Sequence, residues 1–307
     1  MVTLTSSSIM DFMTCPRMYL VKHILGFHPK EESWKLRVGS VYHEGCRVRW
    51  EKGLDEALIW VQKFFSDHFH AHCQEEDFSA EHLEFQEAMV LGMVENTPWD
   101  VRDLDEAEKE FWVSLDALEL IPDGLSQEYG IAGKVDGVGK RDGRPVIREY
   151  KTKGDISKAA KSHAMDRNLQ ASLYYYAFQR ALGYEQLEGV QFCLVRRPSI
   201  ARRQKEKQET FCKRVRQDYK DRPDFYFSDN VTYRDPRDNG FLTNLNTLVH
   251  LIDENTQKNR WYENLTQCKG FGKGCAYLPY CTKAPGWMDH FQNLGPDAHP
   301  ELVDMED

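Results

Sequence analysis

The stretch GKVDGVGKRDGRPVIREYK, residues 133–151, constrains the fold more than any other part of this chain. It reads as two short strands joined by a tight turn at Asp142-Gly143. Asp-Gly favours a two-residue type I′ loop, in which both central residues take positive φ. With that loop Arg141 pairs with Arg144, and counting outward sets Asp136 directly opposite Glu149. Cross-strand partners hold their Cβ atoms about 5 Å apart. Residues i and i+2 share a face of a strand, so Lys151 joins the two carboxylates.

Like charges set opposite each other destabilise a hairpin unless something compensates them. A divalent cation is one such compensation. Phosphodiester hydrolysis needs a cation to neutralise developing charge and to lower the pKa of an attacking water. Mg²⁺ takes hard oxygen ligands and keeps several waters. Asp136 and Glu149 supply carboxylate oxygens, and the Tyr150 backbone carbonyl between Glu149 and Lys151 could supply a third ligand. The Lys151 ammonium could orient the water or stabilise the transition state. The plain alternative is an exposed hairpin with a cross-strand acid pair and an unrelated lysine.

The rest of the chain supplies a frame for that hairpin. Its 307 residues allow a full core. No apolar run approaches the ~20 residues that span a bilayer. The N-terminal MVTLTSSS lacks the basic and apolar regions of a signal peptide, so the chain is expected to be cytosolic. Helices are predicted over residues 8–24 (capped by Ser8 and Asp11, kinked or restarted at Pro16), 36–52, 55–73, 79–95 and 166–182, with another long one inside 239–261. Residues 107–115 and 189–195 read as strands beside the hairpin. No internal repeat is visible. This order suits one α/β domain over residues 1–284 with a small central mixed sheet flanked by helices. A helical insertion is expected over 36–96, a cysteine region over 260–284, and a poorly ordered acidic tail over 285–307.

Other side chains could complete the site. His43, in VGSVYHEG, lies on a predicted helix with Gly39, Cys46 and Trp50 along one stripe. Imidazole can complete a divalent-metal site, although a lone buried histidine more often has a structural partner. Glu110 opens an apolar strand and is a further candidate ligand, or else a surface acid. Gln170 and Tyr174 are i and i+4 on a helix and share a face. They could reach a phosphate or a metal-bound water, while Tyr174-Tyr175-Tyr176 also suits ordinary core packing.

Cys268, Cys275 and Cys281 cluster late in the chain, one short of a tetrathiolate set, and Cys15 before Pro16 is the candidate fourth. Four thiolates hold either structural zinc, the commoner case, or a [4Fe–4S] cluster. Cys46, Cys73, Cys193 and Cys212 lie in apolar or amphipathic contexts and read as plain buried thiols. The net charge of −9 argues against a nucleic-acid binder, but its distribution does not: residues 196–222 carry eleven Lys/Arg against four Asp/Glu. That segment is either a solvated charged helix or a local basic face for a phosphate backbone.

In order along the chain these pieces resemble the PD-(D/E)XK nuclease superfamily, in its RecB/Cas4-like exonuclease branch with an iron–sulfur cluster. TSSSIMDFMTCPRMY, residues 5–19, is similar to the family's N-terminal helix with its first cluster cysteine. Gly39-x3-His43 is similar to the helical metal-ligand histidine. Lys134-Val-Asp136 and Glu149-Tyr-Lys151 are similar to the core acids and lysine, and Gln170-x3-Tyr174 to the motif that follows. The last cysteines depart from the usual C-x2-C-x5-C, because six residues separate Cys268 from Cys275. The resemblance implies a restriction-endonuclease-like core and Mg²⁺- or Mn²⁺-dependent cleavage of DNA, often from ends or on single strands. It places His43, Asp136 and Glu149 on metal, Lys151 on the water, and Gln170 and Tyr174 on substrate. Cys15, Cys268, Cys275 and Cys281 would hold the [4Fe–4S] cluster. Arg196, Arg197, Arg202 and Arg203 would lie along the DNA backbone. Recombination, repair or phage DNA processing, with a recombination or replication protein as candidate partner, is the implied setting. A non-catalytic DNA-binding scaffold on the same fold is the rival reading.

Overall fold

A computed structural model describes residues 1–30, 34–72, 79–99, 104–120, 124–156, 168–233, 240–268, 274–296 and 298–302. In chain order the elements are β1 (Val2–Leu4), α1 (Ser6–Thr14), α2 (Pro16–Tyr19) running into a π-helical turn at Leu20–Ile24, β2 (Phe27–Pro29), α3 (Trp34–Lys52), α4 (Leu54–His72) and α5 (Ala80–Asn96). Next come β3 (Leu104–Ser114), β4 (Tyr129–Arg141), β5 (Arg144–Lys153), α6 (Leu169–Ala181), β6 (Gly189–Arg196), α7 (Gln208–Asp221), α8 (Pro223–Tyr226) and β7 (Phe227–Tyr233). They are followed by α9 (Gly240–Lys258), the single-turn helices α10 (Leu265–Cys268) and α11 (Leu278–Thr282), and β8 (Phe291–Asn293).

Asp142 and Gly143 both take left-handed φ, 50° and 81°, as a type I′ turn demands. Arg141 pairs with Arg144, and the antiparallel β4–β5 ladder runs back to Gly137 opposite Arg148. β3 lies antiparallel along the other edge of β4 from Leu104 to Ser114, with an irregularity between Leu104 and Glu106. β5 pairs in parallel with β6, and β6 antiparallel with β7. β1 adds in parallel to the start of β4, at Tyr129 to Ile131. The result is a six-stranded mixed sheet, while β2 and β8 form a separate antiparallel pair.

Side chains alternate across the sheet, so it has two buried faces. On β6, Val190, Phe192 and Leu194 join one cluster with Ile9 and Phe12 of α1, Tyr176 and Phe178 of α6, and Leu245 and Val249 of α9. Cys193 and Val195 join the other, with Val41 and Tyr42 of α3, Val61 of α4, Met89 and Met93 of α5, and Tyr219 of α7. The helices of the segment expected as an insertion, α3 to α5, pack on this second face beside Tyr150, Cys193 and Val195.

The predicted helices are present with small shifts at their ends, and the first restarts at Pro16, giving α1 and α2. Its cap is Thr5, not Ser8. Thr5 Oγ1 accepts from the Ser8 N–H at 3.1 Å, and Ser8 Oγ accepts from the Thr5 N–H at 2.9 Å. Asp11 instead holds Lys22 and His23, at 2.8 and 2.9 Å. α7 is the charged helix offered as one reading of residues 196–222, whereas β1 and β7 were not anticipated. Nor was the order in the described part of the acidic tail: β8 pairs with β2, and a 3₁₀ turn spans Pro300–Leu302. Cys73, residues 166–167 of the helix predicted over 166–182 and residues 303–307 of the tail lie outside the described residues.

α9 is tied to the start of β4 by one buried acid. Asp253 accepts from the Ser126 N–H and the Tyr129 hydroxyl, each at 3.0 Å, and from the Ser126 hydroxyl and Gln257 amide. Burial would raise its pKa, but these donors hold it below the usual carboxylate range. A carboxyl depressed in the folded state stabilises the fold above its unfolded pKa, and that contribution is lost as pH falls through the folded value. Asp253→Ala should cost about 3 kcal/mol at neutral pH by denaturant titration, a loss that narrows below about pH 4.

Candidate active site

The β4–β5 pairing stops at Gly137 and Arg148, and β1 takes the same edge of β4 only at residues 129–131. Between them, β4 parts from β5, which continues along β6 to Lys153. The slit so formed is a cavity of about 170 Å³. Its walls carry Lys134 and Asp136 from β4, Glu149 and Lys151 from β5, His43 from α3, Gln170 and Tyr174 from α6, and Thr5 to Ser7 at the head of α1.

Asp136 stands where the ladder ends and substitutes for it. Its Oδ2 accepts from the Tyr150 N–H at 2.6 Å, and its Oδ1 lies 2.8 Å from His43 Nδ1. Burial alone would raise the Asp136 pKa, but His43, Lys151 and that N–H hold it below the usual range. Burial would likewise lower His43, yet the Asp136 carboxylate raises it. Glu149 behaves in the opposite way. It is 1% exposed, and its desolvation, reinforced by Asp136 against the pull of Lys151, pushes its pKa up to about 7. One oxygen, Oε2, accepts from Lys151 Nζ at 2.9 Å, whereas Oε1 is buried with no hydrogen-bond partner. Burial would lower Lys151, but Glu149 and Asp136 keep it above its ordinary value and charged.

The opposite wall is fixed through Tyr174. Its hydroxyl donates to the Lys134 carbonyl at 2.9 Å and accepts from Gln170 Nε2 at 2.9 Å. The i, i+4 pair therefore does face the slit, while Tyr175 and Tyr176 are buried in the core.

Glu110 does not enter this cavity; it is exposed and lines a neighbouring groove. The acid that approaches the cavity from β3 is Glu108. It falls between the pairs Ala107–Gly137 and Lys109–Val135, and so stands across from Asp136. Its φ of 49° is left-handed, a strained state for a glutamate. Its Oε2 pairs with Lys134 Nζ at 3.1 Å, and burial with Asp136 nearby raises its pKa to about 7. The hairpin's register follows from its two-residue turn, but no tight turn sets β3 against β4. Period-2 counting on β3 alone therefore could not choose Glu108.

The four cysteines come together less completely. Cys15 Sγ accepts from the Asn264 N–H at 3.4 Å, Cys268 Sγ lies 3.6 Å from the Asn264 carbonyl, and the Cys275 N–H donates to the Cys268 carbonyl. All four are free thiols. Burial, then Glu263, raises the Cys281 thiol to about 11, and Cys275 and Cys15 add to that rise. Among the described residues no three His, Cys, Asp or Glu side chains converge closely enough to be a ready-made metal site, here or in the slit.

Five of the eleven cations of the basic segment are seen in internal ion pairs. Arg202 meets Glu81, Lys213 meets Glu209, Arg214 meets Glu206, Arg216 meets Glu95 and Arg222 meets Asp218. The Arg196 guanidinium lies 4.1 Å over the Phe225 ring. The Arg203 N–H donates to Glu206. Arg197 differs. Its N–H donates to the Lys153 carbonyl, and Lys153 is lowered by burial and then by Lys151 and Arg197, so three cations gather where β5 and β6 leave the slit.

Glu108→Ala should destabilise the chain by about 2–3 kcal/mol in urea, because it removes the acidic partner of a largely buried lysine. Glu110→Ala should change stability by less than about 0.5 kcal/mol.

No helix among the described residues is long and apolar enough to cross a membrane. A search of curated proteins returns no match for the chain. A family model does match, over residues 3–282, which takes in every wall of the slit but Leu302. With that match over nine-tenths of its length, and a central mixed sheet flanked by helices, the chain belongs to the PD-(D/E)XK nuclease superfamily.

Proposed function

We propose that the chain is a Mg²⁺- or Mn²⁺-dependent deoxyribonuclease that works as an exonuclease on linear or single-stranded DNA. Family membership supports the coarser reading, a nuclease that hydrolyses phosphodiester bonds. The observation that carries its metal dependence is Glu149 Oε1, a buried acceptor without a donor beside the Asp136 carboxylate. A buried, unpaired acid is costly, and a divalent cation with a preference for hard oxygen is a fitting partner. Asp136, Glu149 and His43 are the residues we assign to it, with the Tyr150 carbonyl as a further donor. Such an ion supplies Lewis-acid activation of the scissile phosphate and of a bound water.

The chain's own groups prepare the rest. Asp136 is ionised at neutral pH, through the donors described above. Lys151 is held charged, with its Nζ at the Glu149 carboxylate, where it can donate to a water or to a non-bridging phosphate oxygen. Tyr174 and Gln170 orient the wall that the substrate strand meets. The Lys151, Lys153 and Arg197 group offers the DNA backbone a cationic path away from the cavity. The wider basic segment is a weaker candidate, because so many of its guanidinium groups already face acids.

End-labelled single- and double-stranded DNA, with a circular control, should be degraded from ends by the wild-type protein with Mg²⁺ or Mn²⁺ and left intact in EDTA. Glu149→Gln and Lys151→Ala should each slow this by about 100-fold or more while DNA binding persists. A protein that binds DNA and cuts none with either metal would replace this reading by the scaffold one.

For the thiols we infer a cysteine-held [4Fe–4S] cluster or structural zinc, supported by the approach of Cys15 to the segment that carries the other three. Anaerobically purified protein should contain either iron with a broad visible band or zinc near one per chain. Cys268→Ser should lower that content several-fold; protein free of both metals would overturn the inference.

A further inference from the structure

A larger groove lies beside the slit. That groove measures about 510 Å³, within the ordinary range of small-ligand sites, and shares Ala132, Gly133 and Leu302 with the cavity. Trp112 forms one of its walls and is 43% exposed, on β3, which lies along the edge of β4 away from β5. The indole has a fixed seat: a Cβ at Gly130 would fall 2.2 Å from its ring, so only glycine lets it lie against the backbone there. The rest of the ring is partly exposed, and it lines both this groove and a second one beside Ser114 and Tyr129.

The other walls define what fits. Thr3 stands on β1, and His299, whose ring stacks on His23 at 5.8 Å, stands on the turn that ends with Leu302. No lysine or arginine is among the described lining, and Glu110 is. A phosphate is therefore poorly served here. A nucleobase is well served, because every base has a π-face to lay on an aromatic ring. A carboxylate can also accept from the exocyclic amino group of cytosine.

We propose that this groove receives an unpaired nucleobase, stacked on Trp112, next to the phosphodiester bond held in the slit. The inference rests on the nuclease reading and narrows its substrate to DNA with an unpaired nucleotide at the cut. Trp112 is then a binding and positioning residue, and the chemistry stays with the residues of the slit.

The test uses single-stranded oligonucleotides carrying terminal 2-aminopurine, titrated in EDTA with the full chain, so that its outcome is independent of cleavage. Wild type should quench the fluorophore. Trp112→Ala should abolish the quench and weaken binding about tenfold, Trp112→Phe should retain most of both, and binding of a blunt duplex should be indifferent to either change. With metal, Trp112→Ala should raise KM on single strands and leave kcat within about twofold. Equal quenching and affinity in wild type and Trp112→Ala, with cleavage intact, would overturn this inference alone. A wild-type protein that neither binds nor cuts DNA would overturn it together with the nuclease reading.

Discussion

The structure turns on the place where β4 and β5 stop being a ladder. Up to Gly137 and Arg148 their backbones satisfy each other. One residue further, the Asp136 carboxylate takes the Tyr150 N–H that a ladder would have paired with a carbonyl. Backbone donors cannot be buried without a partner, so this side-chain acceptor is what lets the two strands separate inside the protein. The separation admits Glu149 and Lys151 from one strand and Lys134 from the other, and lets α1, α3 and α6 contribute His43, Gln170, Tyr174 and the Thr5–Ser7 turn.

Four charged groups in one small cavity are tolerable only as a set. Asp136 is satisfied by His43 and a backbone N–H, Lys134 by Glu108, and Lys151 by one oxygen of Glu149. The pattern leaves a single imbalance at Glu149 Oε1, with the raised pKa that such isolation produces. Perturbed acids that burial and a specific neighbour explain together are a mark of functional sites, although ion-pair networks can also produce them. Here the imbalance and the network meet in one slit.

Much of this was legible because the hairpin fixes its own register. Asp142-Gly143 selects the turn, the turn selects Arg141–Arg144, and the count brings Asp136 to the level of Glu149. The i, i+4 spacing likewise put Gln170 and Tyr174 on one face. What stayed hidden depends on contacts distant in sequence. Glu108 and Glu110 are two residues apart on one strand, and only the left-handed turn of the chain at Glu108 and the β3–β4 pairing separate their fates. β7 has Ser228-Asp229-Asn230 between Phe227 and Val231, which breaks its run of strand formers, and it pairs along the edge that β6 offers. The tail's Pro and acid content suggested disorder, yet β2 gives it a strand to pair with and Leu302 reaches the slit. The arginines of residues 196–222 looked like a basic face until the acids of α5 and α7 met them.

The central claim is that the slit is built to hold a divalent cation between Asp136 and Glu149. Mn²⁺ binding, followed by electron paramagnetic resonance at neutral pH, tests it most directly. The wild-type chain should bind Mn²⁺, and Asp136→Asn and Glu149→Gln should each weaken that binding at least about tenfold without unfolding the protein. Equal Mn²⁺ affinity in all three proteins would contradict the account.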